Sequence, residues 1–139
     1  MYLVDTSVWL DYLQGRDAPQ VDYLRGLLIN PLAFGITDLV LMEILQGARD
    51  RKAFDTLREY FAGQRCYRFA DPAASHVAAA LMFYSCRRKG ITVRSSVECL
   101  IAQCAIEHGL ILLHNDRDFK AMASVVKPLR QKHFLAAGA

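Results

Sequence analysis

Short apolar runs that stop at acidic or turn residues alternate along this chain with stretches whose apolar positions recur every three or four residues. The first run, Tyr2-Leu3-Val4, closes on Asp5, Thr6 and Ser7 and reads as a strand buried on both faces. Thr6 or Ser7 then suits the N-cap of a helix carrying Val8, Trp9, Tyr12 and Leu13. Asp5 falls where a strand hands over to a helix, the edge of an open α/β sheet at which ligands bind. Taken alone, it reads better as a helix cap.

Past a turn at Gly15 to Pro19, Val21, Leu24, Leu27 and Leu28 give a second helix that ends near Asn30-Pro31. Residues 32–36 read as a strand, and Thr37 caps a helix with the stripe Val40, Leu41, Ile44, Leu45 and Ala48, Glu43 lying beside it. An amphipathic helix over residues 51–62 closes at Gly63, and a short strand follows over 66–69. Asp71-Pro72 opens a long helix through Val77, Ala80, Leu81 and Tyr84 to Gly90. Ser95 or Ser96 opens another, with Val97, Leu100, Ile101, Cys104 and Ala105 as its stripe and Gly109 as its stop. Residues 110–113 form a strand that runs into Asn115, Asp116 and a short helix, and Val125 and Val126 supply a last strand. Strands separated by helices imply an α/β fold, a parallel sheet with helices on both faces. The length of 139 residues suits one domain, 1–139.

Composition narrows the class without naming a chemistry. With 53% hydrophobic and 22% charged residues the chain has an ordinary globular composition, and no apolar run approaches a membrane span. An acid at position 5 leaves no room for a signal peptide, so the cytoplasm is the expected compartment. The four cysteines form no C-x-x-C pair and read as reduced core residues; the four histidines lack ligand spacing. A net charge of +3 is mild. The basic clusters (Arg49, Arg51, Lys52; Arg87, Arg88, Lys89) fit solvated helix ends.

The acids carry more information. Two apolar runs, ending at Asp5 and near Asp116, place both carboxylates at one edge of a parallel sheet, and Glu43 and Glu98 start on helices that can point there. Carboxylates brought together repel one another, and a divalent cation such as Mg²⁺ or Mn²⁺ resolves the repulsion. A metal-activated water attacking a phosphodiester is the natural reaction at such a site. Glu98 has a competing reading, since Ser95-x-x-Glu98 is a capping box. Asp118 reads equally as a cap, and Asp11 and Asp38 as surface, cap or turn residues.

These positions resemble the PIN-domain ribonucleases, in particular the VapC toxins of bacterial type II toxin–antitoxin pairs. The matching segments are Val4-Asp5-Thr6-Ser7-Val8-Trp9, Leu41-Met42-Glu43-Ile44-Leu45-Gln46-Gly47, Ser96-Val97-Glu98-Cys99-Leu100-Ile101-Ala102 and Asn115-Asp116-Arg117-Asp118-Phe119. The resemblance implies an α/β/α sandwich around a parallel sheet of about five strands and a Mg²⁺- or Mn²⁺-dependent endoribonuclease. It maps catalysis and metal binding onto Asp5, Glu43, Glu98 and Asp116, with Asp118 as a fifth acid. Thr6, Ser7 and Asn115 become supporting or water-positioning groups, and Arg94 and Arg117 contacts to the RNA backbone. It also implies a structured RNA substrate (tRNA or rRNA), a homodimer and a VapB-type antitoxin whose C-terminal segment blocks the site. The family usually carries aspartate where this chain has Glu98, which adds a methylene, about 1.5 Å of reach.

Other readings use the same residues. A housekeeping RNA-processing nuclease keeps the site and drops the toxin role. A receiver-like signalling module would take Asp5 as a metal acid, Asp38 as phosphoacceptor and Lys127-Pro128 after the last strand, but it expects an acid where Thr6 stands and leaves Glu43, Glu98 and Asp116 unexplained. An inactive binding domain on the same fold is the fourth.

Overall fold

Leu3 and Val4 are completely buried because the strand they form, β1 (Tyr2–Val4), is the centre of the sheet. The computed structural model describes residues 1–137. In chain order β1 is followed by α1 (Thr6–Leu13), α2 (Pro19–Leu28), β2 (Phe34–Thr37), α3 (Asp38–Gln46), α4 (Arg51–Ala62), β3 (Cys66–Tyr67), α5 (Pro72–Arg88), α6 (Ser96–Glu107), β4 (Ile111–Leu113), α7 (Arg117–Ala123) and β5 (Arg130–Lys132). The strands make a five-stranded sheet in the order β3-β2-β1-β4-β5, every neighbouring pair parallel. Parallel neighbours need crossovers, and right-handed crossovers put α1 to α4 on one face and α5 to α7 on the other. The α/β/α layering and the five parallel strands are as expected from the sequence.

The core forms where apolar helix faces meet the sheet. Trp9 of α1 is fully buried and makes an edge-on contact with Phe61 of α4, ring centroids 4.9 Å apart. All four cysteines are unbridged, and three of them, Cys86, Cys99 and Cys104, are buried.

Three local expectations are corrected. The cap of α1 is Asp5 rather than Thr6 or Ser7: its carboxylate accepts the Ser7 N–H at 3.0 Å. The last strand is Arg130–Lys132 rather than Val125 and Val126, which fold back onto Met122 O at the end of α7. An edge strand pairs on one side only, and charged residues there discourage a further chain from pairing, so it carries no apolar run to read. On α5 the stripe Val77, Leu81 and Tyr84 has the helical period but faces outward, 71%, 61% and 48% exposed, while Ser75, Ala79, Met82 and Cys86 face the core. Alanines on both sides leave the period intact and the inward face undecided.

Gly35 in β2 shows how closely the sheet is packed against its neighbours. A Cβ there would lie 2.5 Å from the Tyr67 ring and 2.8 Å from Arg65 O, the carbonyl that accepts the Ile36 N–H. Gly35→Ala should therefore destabilise the protein by about 1–3 kcal/mol, the usual cost of overpacking. Urea denaturation monitored by circular dichroism would measure it, and an unchanged midpoint would contradict the tight β2–β3 contact.

Candidate active site

Strand order reverses direction at β1: one run of connections builds outward through β2 and β3, and the chain then returns to β4 and β5. The crevice beyond the C-terminal ends of β1 and β4 is the switch point, the place where such sheets bind ligands. Asp5 leaves β1 there, its N–H bonded to Leu113 O at 2.9 Å, and His114, Asn115 and Asp116 leave β4 beside it.

Short-range bonds set each acid in place. Asp5 is buried, and its Oδ2 accepts both the Ser7 N–H (3.0 Å) and the Ser7 hydroxyl (2.6 Å). The same Ser7 Oγ accepts the Asn115 N–H at 2.9 Å, so one hydroxyl joins the start of α1 to the loop after β4. Thr6 donates its hydroxyl to Glu43 Oε1 at 2.7 Å, aiming a side chain of α3 into the crevice. Asp116 caps α7 by accepting the Asp118 N–H at 2.9 Å.

Glu98 stands in the first turn of α6, whose cap is Ser95. The Ser95 hydroxyl accepts from Val97 N rather than Glu98 N, and Glu98 Oε2 is buried with no hydrogen-bond partner, so the reciprocal capping box is not formed. An orphaned carboxylate oxygen among other acids is the one strongly unsatisfied group of the crevice.

The electrostatics record the convergence. Burial pushes the Asp5 carboxyl up to about 6; the two Ser7 bonds oppose this, and the negative charges of Glu43 and Asp116 add to it. Burial also raises Glu98, reinforced by Asp116, Glu43 and Asp118. Among the described residues no three acidic, histidine or cysteine side chains are grouped closely enough to hold a metal ion as they stand. Each of Asp5, Glu43 and Asp116 instead has one oxygen committed to a protein donor.

Three residues take unexpected places. Asp11, read as a surface, cap or turn residue, has its carboxylate nearly enclosed and accepts from Gln20 Nε2 (2.8 Å) and Asn115 Nδ2 (3.1 Å). The Asn115 amide therefore braces the β4–α7 loop against α1. His114 is completely buried, its Nδ1 accepting the Asp116 N–H (3.1 Å) and its Nε2 donating to Gln131 Oε1 of β5 (2.8 Å). Burial brings its pKa down to about 4, so it is a neutral spacer behind Asp116, and nothing in the residue pattern around it signals that role. Arg94 turns onto the acids, with Nη2 on Asp116 Oδ1 and Nε on Asp118 Oδ2, both at 3.0 Å, whereas Arg117 is exposed. The receiver-like constellation does not assemble: Asp38 is held by Arg68 Nε at 2.9 Å, and Lys127 Nζ is bonded to Ser124 O.

The PIN domain family model matches residues 2–125. A VapC ribonuclease of Mycobacterium bovis and ribonuclease VapC11 of Mycobacterium tuberculosis are each 36% identical over 126 residues, covering 90% of this chain and 93% of theirs. Among solved structures, VapBC2 from Rickettsia felis, bound to a DNA fragment from the VapBC2 promoter, is similar with a TM-score of 0.73 at 18% identity, covering 96% of this chain and 98% of the other. FitAcB from Neisseria gonorrhoeae is similar with a TM-score of 0.69 at 19% identity over 94% and 96%. At these identities the structures show the shared fold.

The raised Asp5 pKa has a stability consequence of definite sign. A carboxyl raised in the folded state favours its protonated form there, so its contribution is fully present below the ordinary value of 3.8 and is lost progressively as pH rises to and through about 6. In EDTA, Asp5→Asn should raise the melting temperature more at pH 7.5 than at pH 4.5, by the equivalent of about 2 kcal/mol. Equal effects at both pH values would refute the buried-charge account.

Proposed function

The chain belongs to the PIN-domain family and within it to the VapC ribonucleases, and from that premise we propose a toxin endoribonuclease in which Asp5, Glu43, Glu98 and Asp116 hold Mg²⁺ or Mn²⁺ and direct hydrolysis of structured RNA. The carrying observation is the buried, unpartnered Glu98 Oε2 set among three other acids. Oxygen-only donors that repel one another suit a hard divalent cation. When bound, such an ion would lower the pKa of a water and offset charge on the phosphate.

The chain's own residues supply the arrangement. Ser7 fixes the Asp5 carboxylate, Thr6 fixes Glu43, and His114 holds the backbone of Asp116. Arg117, exposed at the rim, suits a backbone phosphate, a contact that positions RNA without reading its sequence.

Two surfaces support the proposed partners. An open groove of about 630 Å³ lined by Leu10, Leu13, Ile44 and Leu57, with Arg49 and Lys52 alongside, suits the amphipathic C-terminal segment of a VapB-type antitoxin. The outward stripe of α5, Val77, Leu81 and Tyr84, suits a second copy of the chain. No helix among the described residues is long and apolar enough to cross a membrane, and reduced cysteines suit work in the cytoplasm.

Purified antitoxin-free protein should cut total RNA into discrete fragments with Mg²⁺ or Mn²⁺ and not with EDTA. Loss of a supporting group behind a metal ligand costs roughly 10–100-fold, so Asp5→Asn and Glu98→Gln should each cost at least that much. Intact RNA from folded wild-type protein under every condition would favour the binding-domain reading. Separately, Leu81→Glu should convert a dimer to a monomer in analytical ultracentrifugation; a wild-type monomer would remove α5 as the pairing face.

A further inference from the structure

Arg94 lies on the segment between α5 and α6, two residues ahead of the helix that carries Glu98. Its backbone N–H and its Nε both bond to Asp118 Oδ2, at 3.1 and 3.0 Å. Its Nη2 reaches past to Asp116 Oδ1 at 3.0 Å. The two carboxylates are nearly enclosed, with side chains 16% and 12% exposed, while the Arg94 side chain is 69% exposed. Both acids sit at the start of α7, so one arginine joins the segment leading into α6 to the loop after β4.

Resting on the metal-site reading above, we propose that Arg94 is a positioning residue anchored on Asp118, that Asp118 is its seat rather than a metal ligand, and that its outer guanidinium nitrogen occupies Asp116 until a divalent ion takes that carboxylate. Three observations carry this. Asp118 Oδ2 accepts two donors from one residue, a backbone N–H among them, and the N–H bond does not depend on where the guanidinium goes. Asp116 is the acid shared between the two groups: it adjoins Asp5 and Glu98 electrostatically and also accepts from Arg94. Asp118, by contrast, adjoins Glu98 but is absent from the charges acting on Asp5. A guanidinium fixed on two carboxylates makes charge-assisted bonds of the strong kind, and it lowers the repulsion among the acids before any ion arrives.

The guanidinium and the ion are then rivals for Asp116, and removing the rival strengthens ion binding. A unit charge within several ångströms of a divalent ion changes its affinity by a factor of roughly three to ten in a well-solvated rim site. Carboxylate removal distinguishes a seat from a ligand. A lost ligand takes away a coordinating oxygen together with its charge, whereas a lost neighbour takes away the charge alone.

The test is Mn²⁺ titration by calorimetry on wild type, Arg94→Gln, Asp118→Asn and the double variant, with melting of all four in EDTA. Arg94→Gln should bind Mn²⁺ about three- to tenfold more tightly. Asp118→Asn should weaken Mn²⁺ binding by no more than about tenfold, the same charge effect with the opposite sign, where loss of a ligand would abolish binding. In EDTA both single variants should melt earlier, and the double variant should melt no earlier than the worse single one, because the two changes remove one interaction. Loss of Mn²⁺ binding in Asp118→Asn, with or without Arg94, would make Asp118 a ligand and overturn the proposal, as would additive melting shifts. Wild-type protein that binds no Mn²⁺ would sink the metal-site reading and the rivalry with it, while the melting cycle would still decide whether Asp118 seats Arg94.

Discussion

Repulsion among carboxylates at one edge of a parallel sheet is the constraint around which this structure is arranged. Asp5 is buried outright, and Glu98 presents an oxygen with no partner, yet both face further acids. A folded chain normally avoids such an arrangement, because an unpaired buried charge is expensive. Here the cost is contained by hydrogen bonds to individual oxygens and by one guanidinium across Asp116 and Asp118. The remaining imbalance is what a cation would relieve.

The supporting bonds come from residues with no chemistry of their own. Ser7, Thr6 and Asp11 each join two elements that the chain separates widely, and His114 holds the Asp116 backbone from two positions away while reaching Gln131 of β5. Their effect is to convert a loop edge, ordinarily the most adaptable part of an α/β fold, into a fixed surface. The fold places the acids near one another, and these contacts decide which oxygen of each is left over.

Much of this was legible before the structure. The central strand, the Thr37 and Asp71 caps and the bounds of α4 follow from local rules that the tertiary structure leaves undisturbed. The convergence of Asp5, Glu43, Glu98 and Asp116 could be anticipated because acids at strand ends of a parallel sheet share an edge. What the sequence concealed depends on packing at a distance. The polar β5 has no apolar run to announce it, and the alanine-rich α5 carries two faces of equal period. Arg94 and Asp118 lie 24 positions apart, and Asp11 is reached from Asn115 across 104, so no local pattern pairs them.

The bond from Asn115 N to Ser7 Oγ spans 108 positions of the chain. Ser7 emerges from the ribosome early and Asn115 late. At about 5–20 residues per second this interval is of the order of 5–20 seconds. Throughout it β1 lacks its neighbour β4, and Asp5 lacks the loop that closes the crevice. Until then the crevice has no assembled centre. The first of the clustered acids is therefore set in place by a loop that is made more than a hundred positions later.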